Sequence, residues 1–317
     1  MTAGTAVLAL SGGVGGAKLV CGLAQVLTPG ALTVVCNSGD DFEHLGLVIC
    51  PDLDSVTYAL AGCDDRERGW GRSGETWHFL EALSSYTDAT WFRLGDRDLA
   101  MHVWRTAELR RGRSLSAVAL DAAQRLGIRV RLEPMSDASV RTVVHCDTGA
   151  LAFQEYFVRQ KALPRVRRLE YLGADSAQPG AAAARLRAAP QARAVVLCPS
   201  NPWLSIDPIL AIDGWRQALE ATAAPVIAVS PIVAGNAIRG PAAKIMAELG
   251  VEVSPLGVAR HYGALLDGIV IDGLDRAHAA AIEALGIRCL VTDTVMRSDD
   301  DRAALARATL AFADDLR

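Results

Sequence analysis

Ala6-Val7-Leu8-Ala9-Leu10-Ser11-Gly12-Gly13-Val14-Gly15-Gly16-Ala17-Lys18 decides the fold. An apolar run of strand length enters a glycine-rich turn, and residues 18–27 then carry apolar side chains at helical spacing. Strand, tight turn and helix in that order open a βα unit. The unit recurs along the chain. Short β-branched or leucine-rich runs at 32–36, 194–198, 226–229, 269–272 and 289–292 read as strands buried on both faces. Alanine-rich stretches at 76–84, 114–126, 242–249 and 277–285 have helical spacing. The alternation predicts an α/β fold, doubly wound around a mostly parallel, Rossmann-like sheet.

The rhythm breaks between 134 and 173. Residues 140–146 and 150–158 alternate about an Asp147-Thr148-Gly149 turn, and 166–172 supplies a third strand. A small antiparallel β insertion is therefore expected. Residues 1–134 and 190–317 would form the core, and 135–189 the insertion with an Ala/Gly/Pro-rich exit linker at 174–190. Residues 299–317 read as a solvated helix.

With 317 residues, 51% of them hydrophobic and 21% charged, the chain can bury a large core, and a net charge of -4 argues against a nucleic-acid partner. No apolar run is long enough to span a membrane, and the start lacks the basic region of a secretory signal, so a cytoplasmic protein is expected. The seven cysteines stand singly, which suits reduced core thiols better than a disulfide framework or zinc.

Chemistry gathers at the ends of the predicted strands. In the glycine turn, Gly12, Gly13, Gly15 and Gly16 let backbone amides approach an anion at a helix start, with Lys18 adding charge. The spacing is neither a P-loop nor a strict GxGxxG. After the second strand come Asn37-Ser38-Gly39-Asp40-Asp41 and then Cys50-Pro51-Asp52-Leu53-Asp54, carboxylates that beside phosphate call for Mg²⁺. Asp41 and Asp54 are the expected ligands and Asp40 stands close behind, whereas Asp52 reads as a helix N-cap. Ser200 and Asn201 in Pro199-Ser200-Asn201-Pro202, and the loop from Ser230 through Gly235 to Lys244, offer a second anion-binding edge. In Gly95-Asp96-Arg97-Asp98, Asp98 and His102 are helical i,i+4 neighbours, and Arg97 is a candidate phosphate contact.

Taken in order over nearly the whole chain, these motifs, with Pro134-Met135-Ser136-Asp137, resemble the 2-phospho-L-lactate transferase family of coenzyme F420 biosynthesis. The resemblance implies in-line phosphoryl transfer: the ribityl 5′-hydroxyl of the deazaflavin precursor Fo attacks a guanylyl-activated three-carbon phospho-acid and GMP leaves. It also implies Mg²⁺ on Asp41 and Asp54, with Asp40 as second ligand or base, and nucleotide phosphates at the glycine turn. Ser200, Asn201 and the 230–244 loop complete the cleft, with Arg97, Asp98 and His102 on the Fo side or framing the pocket. An upstream guanylyltransferase supplies the donor, and a homodimer is expected. The acid is left open among phospholactate, phosphoenolpyruvate and 3-phosphoglycerate. A nucleotide-sugar-binding regulator of the gluconeogenesis-factor type is the alternative, and a nicotinamide dehydrogenase is disfavoured by the glycine spacing.

Overall fold

The structure is a computed structural model that describes residues 6–188 and 192–317. Seven parallel strands form its central sheet: β1 (Val7–Ser11), β2 (Leu32–Cys36), β3 (Arg131–Pro134), β4 (Ala194–Leu197), β5 (Val226–Val229), β6 (Gly268–Asp272) and β7 (Arg288–Thr292). Their order is β3-β2-β1-β4-β5-β6-β7, so the winding reverses between β1 and β4. That reversal opens a crevice beyond the strand ends, the place where doubly wound sheets hold ligands. The expected fold class is the observed one.

Successive side chains along each strand feed opposite faces. Leu8, Leu10, Val195 and Leu197 enter one apolar cluster, while Val7, Ala9, Ala194 and Val196 enter the other. The second face is covered by α1 (Gly13–Val26), α2 (Pro51–Leu60) and, at the far end of the chain, a 17-residue helix. Between α2 and β3 lie α3 (Asp96–Arg110) and α4 (Leu115–Arg125), the latter capped by Ser114 accepting from the Ala117 N–H. No helix among the described residues is long and apolar enough to cross a membrane.

The antiparallel sheet falls inside 135–189. Arg141–Cys146 pairs with Gly149–Ala152 on one side and Val166–Leu172 on the other. Val144, Tyr156 and Val166 join the same cluster as Leu8 and Leu10, so the inserted sheet shares the core of one sheet face.

Three expectations are corrected, and one strand is new. The strand expected over 150–158 ends at Ala152, and Glu155–Arg159 coils into a wide helical turn that buries Tyr156. The linker expected at 174–190 contains the helix Ala181–Ala188, whose Ala182, Ala183 and Leu186 pack into the core; its boundary at 189–190 lies outside the described residues. Strand β3 has no counterpart in the sequence reading, because Arg131 and Glu133 hide the apolar alternation of an edge strand. Finally, the C-terminal helix, α5 (Asp299–Asp315), is not solvated: Leu305, Ala306, Leu310, Phe312 and Ala313 are buried.

Candidate active site

The carboxyl ends of β1, β2 and β4 meet where the winding reverses. Gly12 leaves β1 extended and Gly13 takes φ +63, a left-handed conformation that favours glycine, to start α1. Ser200, just past β4, clamps the turn: its Oγ accepts from Gly12 N–H at 3.0 Å and donates to Gly12 O at 2.8 Å. A Cβ at Gly15 would strike Pro199 O, and one at Gly16 would strike Ser11 and Ser200 Oγ. These glycines bring the first turn of α1 into contact with the Pro199-Ser200 loop.

Asp52 is not the expected N-cap. Cys50 holds that position, Pro51 begins the helix, and Asp52 in the first turn accepts from Gly13 N–H at 2.6 Å and from Asn37 Nδ2 at 2.9 Å. Burial pushes its carboxyl up to about 6 even with those hydrogen bonds.

Three more carboxylates crowd the same place. Asp40 receives Gln154 Nε2 at 3.3 Å and Asn37 Nδ2 at 3.4 Å; burial, then the charges of Asp52 and Asp41, raise its proton affinity well above the usual range. Asp41 is pushed up to about 7 by burial, against the Cys50 thiol and the guanidinium groups of Arg141 and Arg105. Its Oδ1 is buried without a hydrogen-bond partner. Asp54 is tied to Arg105, which donates Nη1 to Oδ2 at 3.0 Å and Nη2 to Oδ1. Fully buried His102 lies between two acids, Nδ1 3.7 Å from Asp54 and Nε2 3.2 Å from Asp98. Asp98 also accepts the Tyr58 hydroxyl at 2.6 Å. Burial opposes its charge, but His102 and Tyr58 hold its carboxyl below the usual range.

Among the described residues, no group of three or more His, Cys, Asp or Glu is arranged to hold a metal ion. Asp41 nonetheless fits a cation, since a buried carboxylate oxygen without a donor lacks only a positive charge. Asp54 brings charge to the same place but spends both oxygens on Arg105.

Other expected residues are engaged elsewhere. Lys244 Nζ donates to Glu248 at 2.7 Å, Pro164 O at 2.9 Å and Tyr156 at 3.3 Å, pinning its helix to the inserted sheet. Ser230 Oγ closes a local turn with Ile232, and Gly235, at φ +71, forms a hairpin bend with Ala234. Asn201 Oδ1 caps the turn beginning at Pro202, leaving its buried Nδ2 unpartnered. Arg97 is exposed, and its backbone N–H is held by Glu75 at 2.7 Å.

Two features escaped the sequence reading. Directly after Asp41, Phe42 and His44 pack edge-on against Trp91 and Phe92, forming an aromatic wall. Beyond the outer face of α1, a cleft is lined by Lys18, Arg66, Trp70, Arg239 and Arg302. Adjacent Trp91-Phe92 was the only local signal for the first; the arginines come from segments too far apart in sequence to signal the second.

A family model described as 2-phospho-L-lactate transferase CofD matches residues 7–302. A phosphoenolpyruvate transferase of Streptomyces griseus is 42% identical, the match covering 98% of this chain and 99% of that protein. One from Kitasatospora aureofaciens is also 42% identical, over 98% of each. A crystal structure of a member of the UPF0052 family from Bacillus halodurans superposes with a TM-score of 0.62 at 16% identity, covering 98% of this chain and 100% of that one. At that identity the superposition speaks to the fold alone.

Proposed function

We propose, for a chain that belongs to the 2-phospho-L-lactate transferase CofD family and is a transferase of coenzyme F420 biosynthesis acting on a phospho-acid, that the acid is phosphoenolpyruvate. The donor is its guanylyl-activated form and the acceptor is Fo. The observation that carries this reading is the 42% identity to phosphoenolpyruvate transferases over 98% of the chain. It also weighs against the nucleotide-sugar-binding regulator.

The ribityl 5′-hydroxyl oxygen bonds to the phosphorus bearing the enolpyruvyl group. The bond from that phosphorus to the bridging oxygen breaks, and the bridging oxygen leaves with GMP. The hydroxyl proton passes to Asp40, where burial and then the charges of Asp52 and Asp41 give the carboxyl high proton affinity. Positioning and charge neutralisation supply most of the rate in such transfers. Mg²⁺, when bound, would neutralise charge on the phosphoryl group; Asp41 would hold it, and Asp54 would join only by yielding an oxygen from Arg105. His102 and Asp98 keep Arg105 and Tyr58 in place behind these acids. Phe42 beside Asp41 offers the flat deazaflavin an apolar wall. The reading includes a cytoplasmic homodimer fed by a separate guanylyltransferase.

The test supplies the purified protein with Fo, GTP, Mg²⁺, the partner guanylyltransferase and, in turn, phosphoenolpyruvate, 2-phospho-L-lactate and 3-phosphoglycerate, with product followed by mass spectrometry. The Fo phosphodiester of phosphoenolpyruvate is expected, and lost on adding EDTA. Product from another acid alone would overturn the substrate, and no product from any would overturn the transfer.

A further inference from the structure

The turn Pro202–Ile206 touches the catalytic carboxylates at one residue and a second cleft at the next. Leu204 O accepts from Asn37 Nδ2 at 3.1 Å, and Asn37 also serves Asp40 and Asp52. Its neighbour Trp203 accepts the Tyr171 hydroxyl on its carbonyl oxygen at 2.6 Å, and its ring lies 4.4 Å from that of His261. Tyr171 and His261 line a cleft of about 380 Å³ between the helices Asp207–Leu210, Asp213–Glu220 and Pro255–Tyr262. The transfer reaction makes no use of it. We propose that this cleft binds a small aliphatic amine as its ammonium ion, held by Asp207 and Tyr262.

Asp207 is held in place by His261, whose Nε2–H donates to its two oxygens at 2.9 and 3.0 Å. A carboxylate oxygen has more than one lone pair, so both still accept. Tyr262 lines the cleft and is only 8% exposed, yet its hydroxyl has no hydrogen-bond partner among the described residues. Burial and then the charge of Asp207 make its proton harder to lose, and the same two causes act on Tyr171, so the carboxylate faces both hydroxyls. Tyr171 has spent its hydroxyl on Trp203; Tyr262 has not. A buried hydroxyl left unpaired is costly, and a ligand that pairs with it removes the cost.

Charge selects the ligand. Among the described residues Asp213 pairs with no cation, and the one guanidinium lining the cleft, Arg216, lies 3.8 Å from Glu220. Carboxylates therefore prevail, which favours a cation and repels an anion. No group of three or more His, Cys, Asp or Glu among the described residues is arranged for a metal ion. An ammonium asks less: its three donors match the oxygens of Asp207 and Tyr262. The tyrosine rings suit a cation, and Leu210 and Leu265 offer its alkyl chain an apolar wall.

Titration calorimetry at neutral pH with n-butylamine, n-butanol and butyrate, on wild type, Tyr262→Phe and Asp207→Asn, tests the assignment. Wild type should bind the amine and neither of the others. Tyr262→Phe keeps the ring and removes one oxygen, so the fold is kept and affinity for the amine should fall about 5- to 10-fold; Asp207→Asn should lower it about 10- to 100-fold. No binding of the amine by wild type would overturn the proposal, as would butanol or butyrate binding as tightly. Unchanged affinity in Tyr262→Phe would place the amine elsewhere, at the catalytic carboxylates for instance, and would overturn it too, whether or not Asp207→Asn folds. Binding rather than turnover is measured, so each outcome is independent of the transferase reading.

Discussion

Asp41 holds its proton more tightly folded than unfolded, and the sign of its effect on stability follows. Folding raises this carboxyl from the ordinary range to about 7, so ionising it costs the folded state. Stability of the metal-free protein should fall as pH climbs from about 4 to about 7 and level off above. Asp41→Asn removes that penalty: in EDTA at pH 8 its Tm should exceed wild type by several degrees, with little difference at pH 4.5. Thermal melts at the two pH values check this, and equal Tm at pH 8 would remove the case for a strained carboxylate. The same variant should have no measurable turnover and no Mg²⁺-dependent rise in Tm. That Asp40 and Asp41 lie near Asp52 and Asp54 was legible in sequence, because the segments that carry them follow β2 and open α2. Asp52 was misread because its partner, Gly13, lies 39 residues away and only the folded chain brings them together. Lys244 was misread for the converse reason: a lysine one turn into a helix beside a glycine-rich loop suits phosphate, but Glu248 and Tyr156 reach it first.

Between elements, the Asp54–Arg105 pair joins α2 to α3, with both side chains buried. Removing one partner strands a buried charge, so Arg105→Met should cost about 3–5 kcal/mol. Chemical denaturation measures it, and a loss below 1 kcal/mol would mean that water reaches Asp54. The contact of α1 with α5 is as close at one point: a Cβ on Gly22 would run into Arg302 O. Backbone there cannot swing aside as a side chain tip can, so Gly22→Ala should cost about 1–3 kcal/mol. A variant with an unchanged denaturation midpoint would show that the helices can separate. Helix α5 was legible as a helix but not as a buried one. Its charged first turn, Asp299-Asp300-Asp301-Arg302, dominates the pattern, while much of its buried face is alanine, which any solvated helix also carries. Helix Ala181–Ala188 was lost the same way among Ala, Gly and Pro.

Across the whole molecule, periodicity alone supplied six of the seven parallel strands, because strands covered on both faces need unbroken apolar runs. The edge strand β3, covered less, carries charge and was not seen. What pattern could not supply was how the last helix returns to the first. Helix α5 packs on α1, brings Phe312 against the position of Gly268 on β6, and delivers Asp299 and Arg302 to the cationic cleft. The C-terminal segment thus closes one sheet face and one wall of the cleft together. A protein ending at 298 should lose its cooperative thermal transition, since Val7, Leu19 and Leu23 would lose their apolar cover. Phe312→Ala separates the two roles: it opens a cavity worth about 3–5 kcal/mol yet leaves Arg302 in place. Its Tm should drop sharply while turnover, measured well below that Tm, stays within about twofold, a small change on the barrier scale. A parallel loss of turnover would mean that the site at the strand ends is set by core packing on this sheet face rather than by the turns and side chains around it.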